Sequence, residues 1–418
     1  PLVLVVPTGA PRGLFQTQHK IAPRVSFAYA PFEDNKTSFR GGFGMFFDRP
    51  EGNIIFSSVN IPPFISVVQF ENGNLSAPSS GAPSALAAFG QIDTVDPNLD
   101  IPYTMSFSLS VQRELPRGFF LETAYVGNLG RHLLRQPDIN QASFNDLRAN
   151  AALPAANRAS VNFLRPYKGY SAIRMRLSDS TSNYNALQVY LAKRTGQLRL
   201  TGSYTFSKSL SDSSGNGDNP EDPFNRDYNY GPTSFDRRHI FVGTYTYSFG
   251  SFRQLGFVGR ALLSDWEVSG VTRFQSGQYY TPSADSSIGG RRADYVGGPT
   301  RLANGERTPN RFINVAAFAP APEGRRGSAG VGIIEGPGRQ DWDISVRRIF
   351  PIDERFRVRF QTDFFNAFNR ANFGRSNNLN VAYGSLNPVT GGPTNLNFGT
   401  ISSAGPGRNI QFALKLEF

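Results

Sequence analysis

Arg355, Arg357 and Arg359 recur at every second position, and Asp363 continues the same phase beyond Gln361. Two-residue spacing puts side chains on one face of an extended strand, so these residues form a charged ladder rather than a reactive centre. Arg199 and Arg273 lie in two other alternating segments and are candidates for the same face. A row of guanidinium groups can attract an anionic solute or dock an acidic protein surface, and it also keeps one side of a sheet wet. Catalytic chemistry finds less support. His19, His132 and His239 are the only histidines and none has a partner at metal-ligand spacing. There is no G-x-S-x-G elbow and no phosphate-cradling loop ahead of a helix. No catalytic residue, cofactor or metal is therefore expected, and His239, following Arg237 and Arg238 at a strand start, reads as a girdle or turn residue.

Two loop segments carry weaker signals. Asp212, Asp218, Glu221, Asp222 and Asp227 are hard oxygen donors of the kind that hold Ca²⁺, but Ser214 and Pro223 break the EF-hand pattern, so a solvated loop is expected. Gly324–Gly338 is glycine-rich without the strand and helix that a phosphate site needs, and reads as a flexible loop.

The elements that would carry these residues alternate with period two. In the last segment Ile410, Phe412, Leu414, Leu416 and Phe418 share one face, while Asn409, Gln411, Lys415 and Glu417 share the other. Phe356, Val358, Phe360, Thr362 and Phe364 alternate with the arginine ladder, a density of charge that a water-filled lumen accepts more readily than an ordinary sheet surface. About eleven strands are predicted, near 21–31, 36–48, 103–115, 118–128, 184–195, 197–208, 237–249, 264–276, 340–350, 354–366 and 408–418. Each is long enough to cross a bilayer at a tilt.

Connection lengths supply the topology. Glu33–Lys36, Pro116–Gly118, Gly196 and Pro351–Glu354 are tight turns, and 250–263 is intermediate. Segments 49–102, 129–183, 209–236, 277–339 and 367–407 are long, irregular and rich in Gly, Pro, Asn and Ser. Short turns on one side and long loops on the other are the pattern of transmembrane barrels, with periplasmic turns and extracellular loops. The predicted fold is thus all-β, an antiparallel transmembrane β-barrel segment.

Composition agrees. The 418 residues include 36 Phe and 16 Tyr but no Cys, which excludes disulfide scaffolds and thiol chemistry. No run of 18 apolar residues provides a transmembrane helix, so only a closed barrel could span a bilayer. The net charge of +11 is scattered, without the basic run expected of a nucleic-acid partner. Pro1–Pro7 is apolar without a basic flank or cleavage site, so the chain is expected to begin inside a longer protein. An odd strand count where single-chain bacterial barrels are even points the same way, to half of a barrel of about 22 strands.

The segments Ala22–Phe32 (APRVSFAYAPF), Arg40–Asp48 (RGGFGMFFD), Tyr184–Arg194 (YNALQVYLAKR), Gly202–Asp212 (GSYTFSKSLSD), Phe235–Tyr247 (FDRRHIFVGTYTY) and Asp363–Gly374 (DFFNAFNRANFG) resemble Oar-like TonB-dependent receptors. That resemblance spans most of the chain. It implies an outer-membrane transporter for a bulky solute such as an oligosaccharide, peptide or metal chelate. Residues 1–418 would be the C-terminal part of its barrel domain, and the plug and the contact with the TonB complex would belong to an N-terminal region that this sequence does not contain. Phe412, Leu414, Leu416 and Phe418 also resemble the signal by which the barrel assembly machinery recognises a terminal strand. The expected partners are outer-membrane lipid, that machinery, the TonB complex and a solute. A passive porin or secretion pore and an adhesive surface protein remain as alternatives.

Overall fold

Eleven long strands follow one another through a single antiparallel sheet, each paired with its neighbours in sequence. The computed structural model describes residues 18–52, 54, 70–71, 74–77, 82–83, 90–252, 254, 256, 258–259, 263–284, 291–322, 324–374, 379, 381 and 397–418. The strands are β1 (Arg24–Tyr29), β2 (Thr37–Phe47), β3 (Tyr103–Leu115), β4 (Phe119–Arg135), β5 (Tyr170–Lys193), β6 (Leu198–Ser211), β7 (His239–Ser248), β8 (Trp266–Gln275), β9 (Arg339–Pro351), β10 (Arg357–Phe365) and β11 (Asn409–Glu417). β1 and β11 are the two ends of this path and do not pair with each other, so the sheet is open. No helix among the described residues is long and apolar enough to cross a membrane.

The register turns the alternation into two continuous faces. On one, Phe43 lies opposite Phe107, Leu109 opposite Tyr125, and Tyr125 opposite Leu187. The same face continues through Leu187↔Phe206, Phe241↔Tyr204, Phe241↔Phe274, Val268↔Val346, Val346↔Thr362 and Phe360↔Leu414. The other face pairs Ser110 with Ala124, Gln188 with Thr205, Thr201 with Thr244, Ser269 with Ser345, and Ser345 with Asp363. A one-residue slip anywhere would exchange the faces, so the pattern fixes the register. Leu109, Leu187, Phe206, Phe412 and Leu414 are exposed, Leu414 at 75 %. In water such a surface would be an aggregation liability, whereas facing lipid it is the favourable side.

Two aromatic belts edge the apolar face. Toward the long loops, Phe206 stands 5.0 Å from His239, Phe241 is stacked on Phe274, and Trp342 lies edge-on to both Phe274 and Phe368. Toward the short turns, Tyr247 packs on Phe249, Trp266 on Phe360, and the Arg348 guanidinium covers Trp266 and Phe350. Amphipathic rings concentrate where hydrocarbon meets headgroups.

The short turns use residues that tolerate left-handed backbone. Asn35 (φ 52°), Arg117 (φ 63°) followed by Gly118 (φ 73°), and Gly196 (φ 87°) close three of them. His132 (φ 53°) sits where the β4–β5 register shifts. Both strands continue past this bulge and pair again at Leu133↔Ser180 and Arg135↔Leu177.

The long connections are not structureless. Gly90–Val95 pairs in parallel with the start of β5, and Phe144–Ala151 is a helix whose N-cap Ser143 side chain accepts from the Asp146 N–H. Tyr280, Ala293, Phe318 and Ile334 from the 277–339 connection bury themselves with Val381, Phe398 and Ile401 from the 367–407 connection. The glycine-rich stretch predicted to be flexible is packed into this layer. Gly327 lies so close to the Arg292 and Ala293 carbonyls that a Cβ would collide with them, and Gly336 sits against the Tyr280 ring. Its glycines permit close approach of backbone rather than motion.

Candidate functional site

The polar face and the loop layer above it hold the chain's charged chemistry. Arg199 and Arg273 lie on the polar face, on β6 and β8. Arg357, Arg359 and Asp363 lie on that face of β10. Arg355 falls instead in the turn before β10, where its N–H donates to Asp353 Oδ1 at 2.8 Å. The ladder is interleaved with carboxylates. Arg359 pairs with Glu417 at 2.7 Å, while Glu267 takes Arg347 at 2.6 Å and Arg199 at 3.8 Å, with Ser248 Oγ donating to it as well. Asp363 accepts from Gln361 Nε2 at 2.9 Å. The structure therefore brings Arg199 and Arg347 together through Glu267, a link spanning the four strands β6 to β9 that no single segment reveals. Arg273 lies opposite Val242 and Asp341 and has no ion pair among the described residues.

At the loop end, the polar face opens into two cavities. One of about 640 Å³ is lined by Ser106, Asn128, Tyr184, Ser209, Ser211 and Thr233. A second of about 570 Å³ is lined by Arg237, Gln275, Arg339, Asp341, Asp343 and Asn372. Both sizes suit a solute of several sugar or amino-acid units in part. Phe412, Leu414 and Leu416 lie on the opposite, apolar face of β11, paired with Thr362, Phe360 and Val358, and Phe418 follows the strand almost fully exposed.

In the acidic segment at 212–227, Asp212, Glu221 and Asp222 form ion pairs while Asp218 and Asp227 are exposed, so only part of it is the expected solvated loop. Asp212 accepts from Arg226 Nε at 2.6 Å, Ser180 Oγ at 2.7 Å and the Thr181 N–H at 2.8 Å. Asp222 pairs with Arg326, and Asp218 caps the Ser214 and Gly215 N–H groups. Glu221 receives the Arg292 N–H and guanidinium, and the same guanidinium lies 3.4 Å from the centre of the Tyr228 ring. Tyr228 OH is within 3.0 Å of Glu221 and 2.9 Å of the Gly327 carbonyl. Burial, and then the Glu221 charge, push the Tyr228 hydroxyl well above the ordinary tyrosine range, so it stays a donor. Among the described residues no cluster of three or more carboxylate or histidine side chains could hold a metal ion. Nearby, Arg135 grips Asp179 with two hydrogen bonds of 2.6 Å and also donates to the Pro223 carbonyl. These arginines went unnoticed in the sequence because their partners lie far along the chain; only the density of Arg and Asp in loops hinted at them.

Asp236, just ahead of β7, is buried and accepts the Ser209 N–H through Oδ1, while Oδ2 has no partner. Burial raises its carboxyl above the ordinary range despite that hydrogen bond and the nearby Arg238 and Arg237. A raised acid binds its proton more tightly in the folded state, so its favourable contribution is complete at low pH. That contribution is lost as pH climbs from the ordinary carboxylate value through the folded one. The protection factor of the Ser209 amide, its exchange corrected for the intrinsic rise with pH, is expected to fall across that window in the wild type and to stay level in Asp236→Asn. Parallel profiles would refute the burial argument. His239, three residues after Asp236, joins the aromatic belt, its Nδ1 2.8 Å from Tyr204 OH.

The solved outer membrane transporter YddB of Escherichia coli aligns over 96 % of this chain and 41 % of its own, at 9 % identity and a TM-score of 0.48. The siderophore receptor PirA of Acinetobacter baumannii aligns over 95 % and 40 %, at 9 % identity and a TM-score of 0.45. The ferric enterobactin receptor PfeA of Pseudomonas aeruginosa aligns over 95 % and 40 %, at 11 % identity and a TM-score of 0.46. The chain thus spans about two fifths of the length of these structures. No curated protein matches it. The family described as an outer membrane beta barrel domain matches residues 2–411, nearly the whole sequence. With its two-faced antiparallel sheet, aromatic belts and alternating turns and loops, this chain belongs to the outer membrane beta barrel domain family and resides in the outer membrane.

Proposed function

We propose that residues 1–418 form the C-terminal strands of an approximately 22-stranded barrel in a TonB-dependent importer, which takes a bulky solute across the outer membrane. The observation that carries this reading is the polar face. It runs unbroken from the Arg199–Glu267–Arg347 cluster near the short turns to hydroxyl- and charge-lined cavities beneath a folded loop layer. Such a path suits a solute that is first captured at the loops and then passed along wet walls. The strand residues Arg199, Arg273, Arg357, Arg359 and Asp363 would line this path, with Arg355 at its short-turn mouth. Phe412, Leu414, Leu416 and Phe418 would serve the barrel assembly machinery, since an exposed alternating strand is suited to edge pairing.

The test is growth on one limiting nutrient at a time. Deleting the whole gene should abolish growth on one oligosaccharide, peptide or chelate, and disrupting TonB should do the same with the gene intact. Uptake that survives loss of TonB would instead identify a passive pore. Unchanged growth on every nutrient, together with lost surface attachment, would identify an adhesin.

A further inference from the structure

A third cavity, of about 470 Å³, opens at the loop-side edge of the apolar face and meets the 570 Å³ cavity of the polar face at Gln275, Pro337, Arg339 and Phe373. Its floor includes Tyr204, His239, Phe241 and Phe274, all on the apolar face at its loop-side belt. Its roof comes from the loops, where Arg301, Arg307 and Phe312 meet Arg370 and Phe373. Arg301 is paired with Glu335 at 2.9 Å, and Arg339 at the rim is tied to Asp341. Arg307 gives its Nε–H to the Leu302 carbonyl at 2.7 Å, which leaves its terminal amino groups without an acceptor among the described residues. The Arg370 side chain likewise has no ion pair among them.

We infer that this cavity binds the phosphorylated headgroup of a glycolipid in the outer leaflet, independently of what the barrel carries. The placement argues for a lipid. Floor residues of the lipid-facing side end where the apolar face meets the loops, which is the level of the headgroups. An anion held there has its acyl chains against Phe241 and Phe274 and its charge beneath Arg307 and Arg370. Arginine forks match phosphate oxygens in pairs, and basic pockets at the membrane boundary recognise lipid headgroups this way. Burial and the neighbouring Arg301 lower the pKa of the Arg307 guanidinium while Glu335 opposes them, and a further anion would favour its charged form.

The experiment uses the full-length protein purified in detergent. Three probes are titrated: a doubly phosphorylated acylated diglucosamine, its dephosphorylated counterpart, and inorganic phosphate. The wild type should prefer the phosphorylated lipid by about tenfold or more, and Arg307→Gln/Arg370→Gln should erase that preference. Arg307→Lys/Arg370→Lys should keep part of it, as a point charge without the fork. Equal binding of the two lipids by the wild type overturns the proposal, with no variant needed. Full preference in the glutamine variant overturns it as well. Displacement of the lipid by inorganic phosphate at equal concentration would mark a site for free anions and reject the lipid assignment.

Discussion

Replacing Arg292 with methionine should loosen the loop layer by about 3–5 kcal/mol, because it strands a buried carboxylate without its partner. The Arg292 and Glu221 side chains are 8 % and 4 % exposed, so water cannot take over the lost contacts. Methionine keeps most of the volume against Tyr228, which confines the loss to charge and hydrogen bonding. Glu221→Gln in the same background should return much of the stability, since a neutral amide no longer demands a cation. Hydrogen exchange at Asn225–Pro232 and Ala293–Ala329 provides the readout. Equal protection in the wild type and Arg292→Met, or no recovery in the double variant, would show that the pair is incidental to the layer.

The second large effect separates the two faces of the sheet. Val346 on β9 lies between Val268 and Thr362 on the apolar side, while Ser345 beside it lies between Ser269 and Asp363. Val346→Arg should cost about 2–4 kcal/mol, as a cation exposed to mid-bilayer lipid does. Ser345→Arg should cost less than about 1 kcal/mol, because it meets the wet side and an acidic neighbour. Urea unfolding of the full-length protein from lipid vesicles measures both. Comparable losses would mean that the two faces do not differ in environment, and a larger loss for Ser345→Arg would mean that they are assigned the wrong way round.

Much of the fold was legible in the sequence because a transmembrane strand advertises itself locally. Its faces differ in polarity over ten residues, and its turns carry Asn or Gly at left-handed positions such as Asn35 and Gly196. All eleven predicted strands have a counterpart. The errors lie where β4 and β5 outgrow the alternating zone. Leu129–Arg135 and Tyr170–Asn183 continue as strand up to and past the His132 bulge, where apolar residues no longer fall at every second place. The site was less legible. The placement of Arg199, Arg273, Arg357 and Arg359 on one face follows from parity alone. The union of Glu267 with arginines on both sides needs the order of the strands. The grip of Arg292 on Glu221 joins residues 71 apart in sequence and leaves no local trace. Charged residues in loops look alike whether solvated or buried, so Asp212 and Asp222 were read as wet when both are buried.

The shared core of the last two long connections also dictates an order of assembly. Ala293, Phe318 and Ile334 come from one, and Val381, Phe398 and Ile401 from the other. Neither stretch can bury its apolar residues until both have been threaded to the same side of the bilayer, and β10 and β11 frame the second of them. The cap must therefore set late, after the final hairpin closes, and contacts so distant in sequence form slowly. A cut within residues 367–407 would leave the strands in place yet release the earlier connection with the later one, so the two loops stand or fall together.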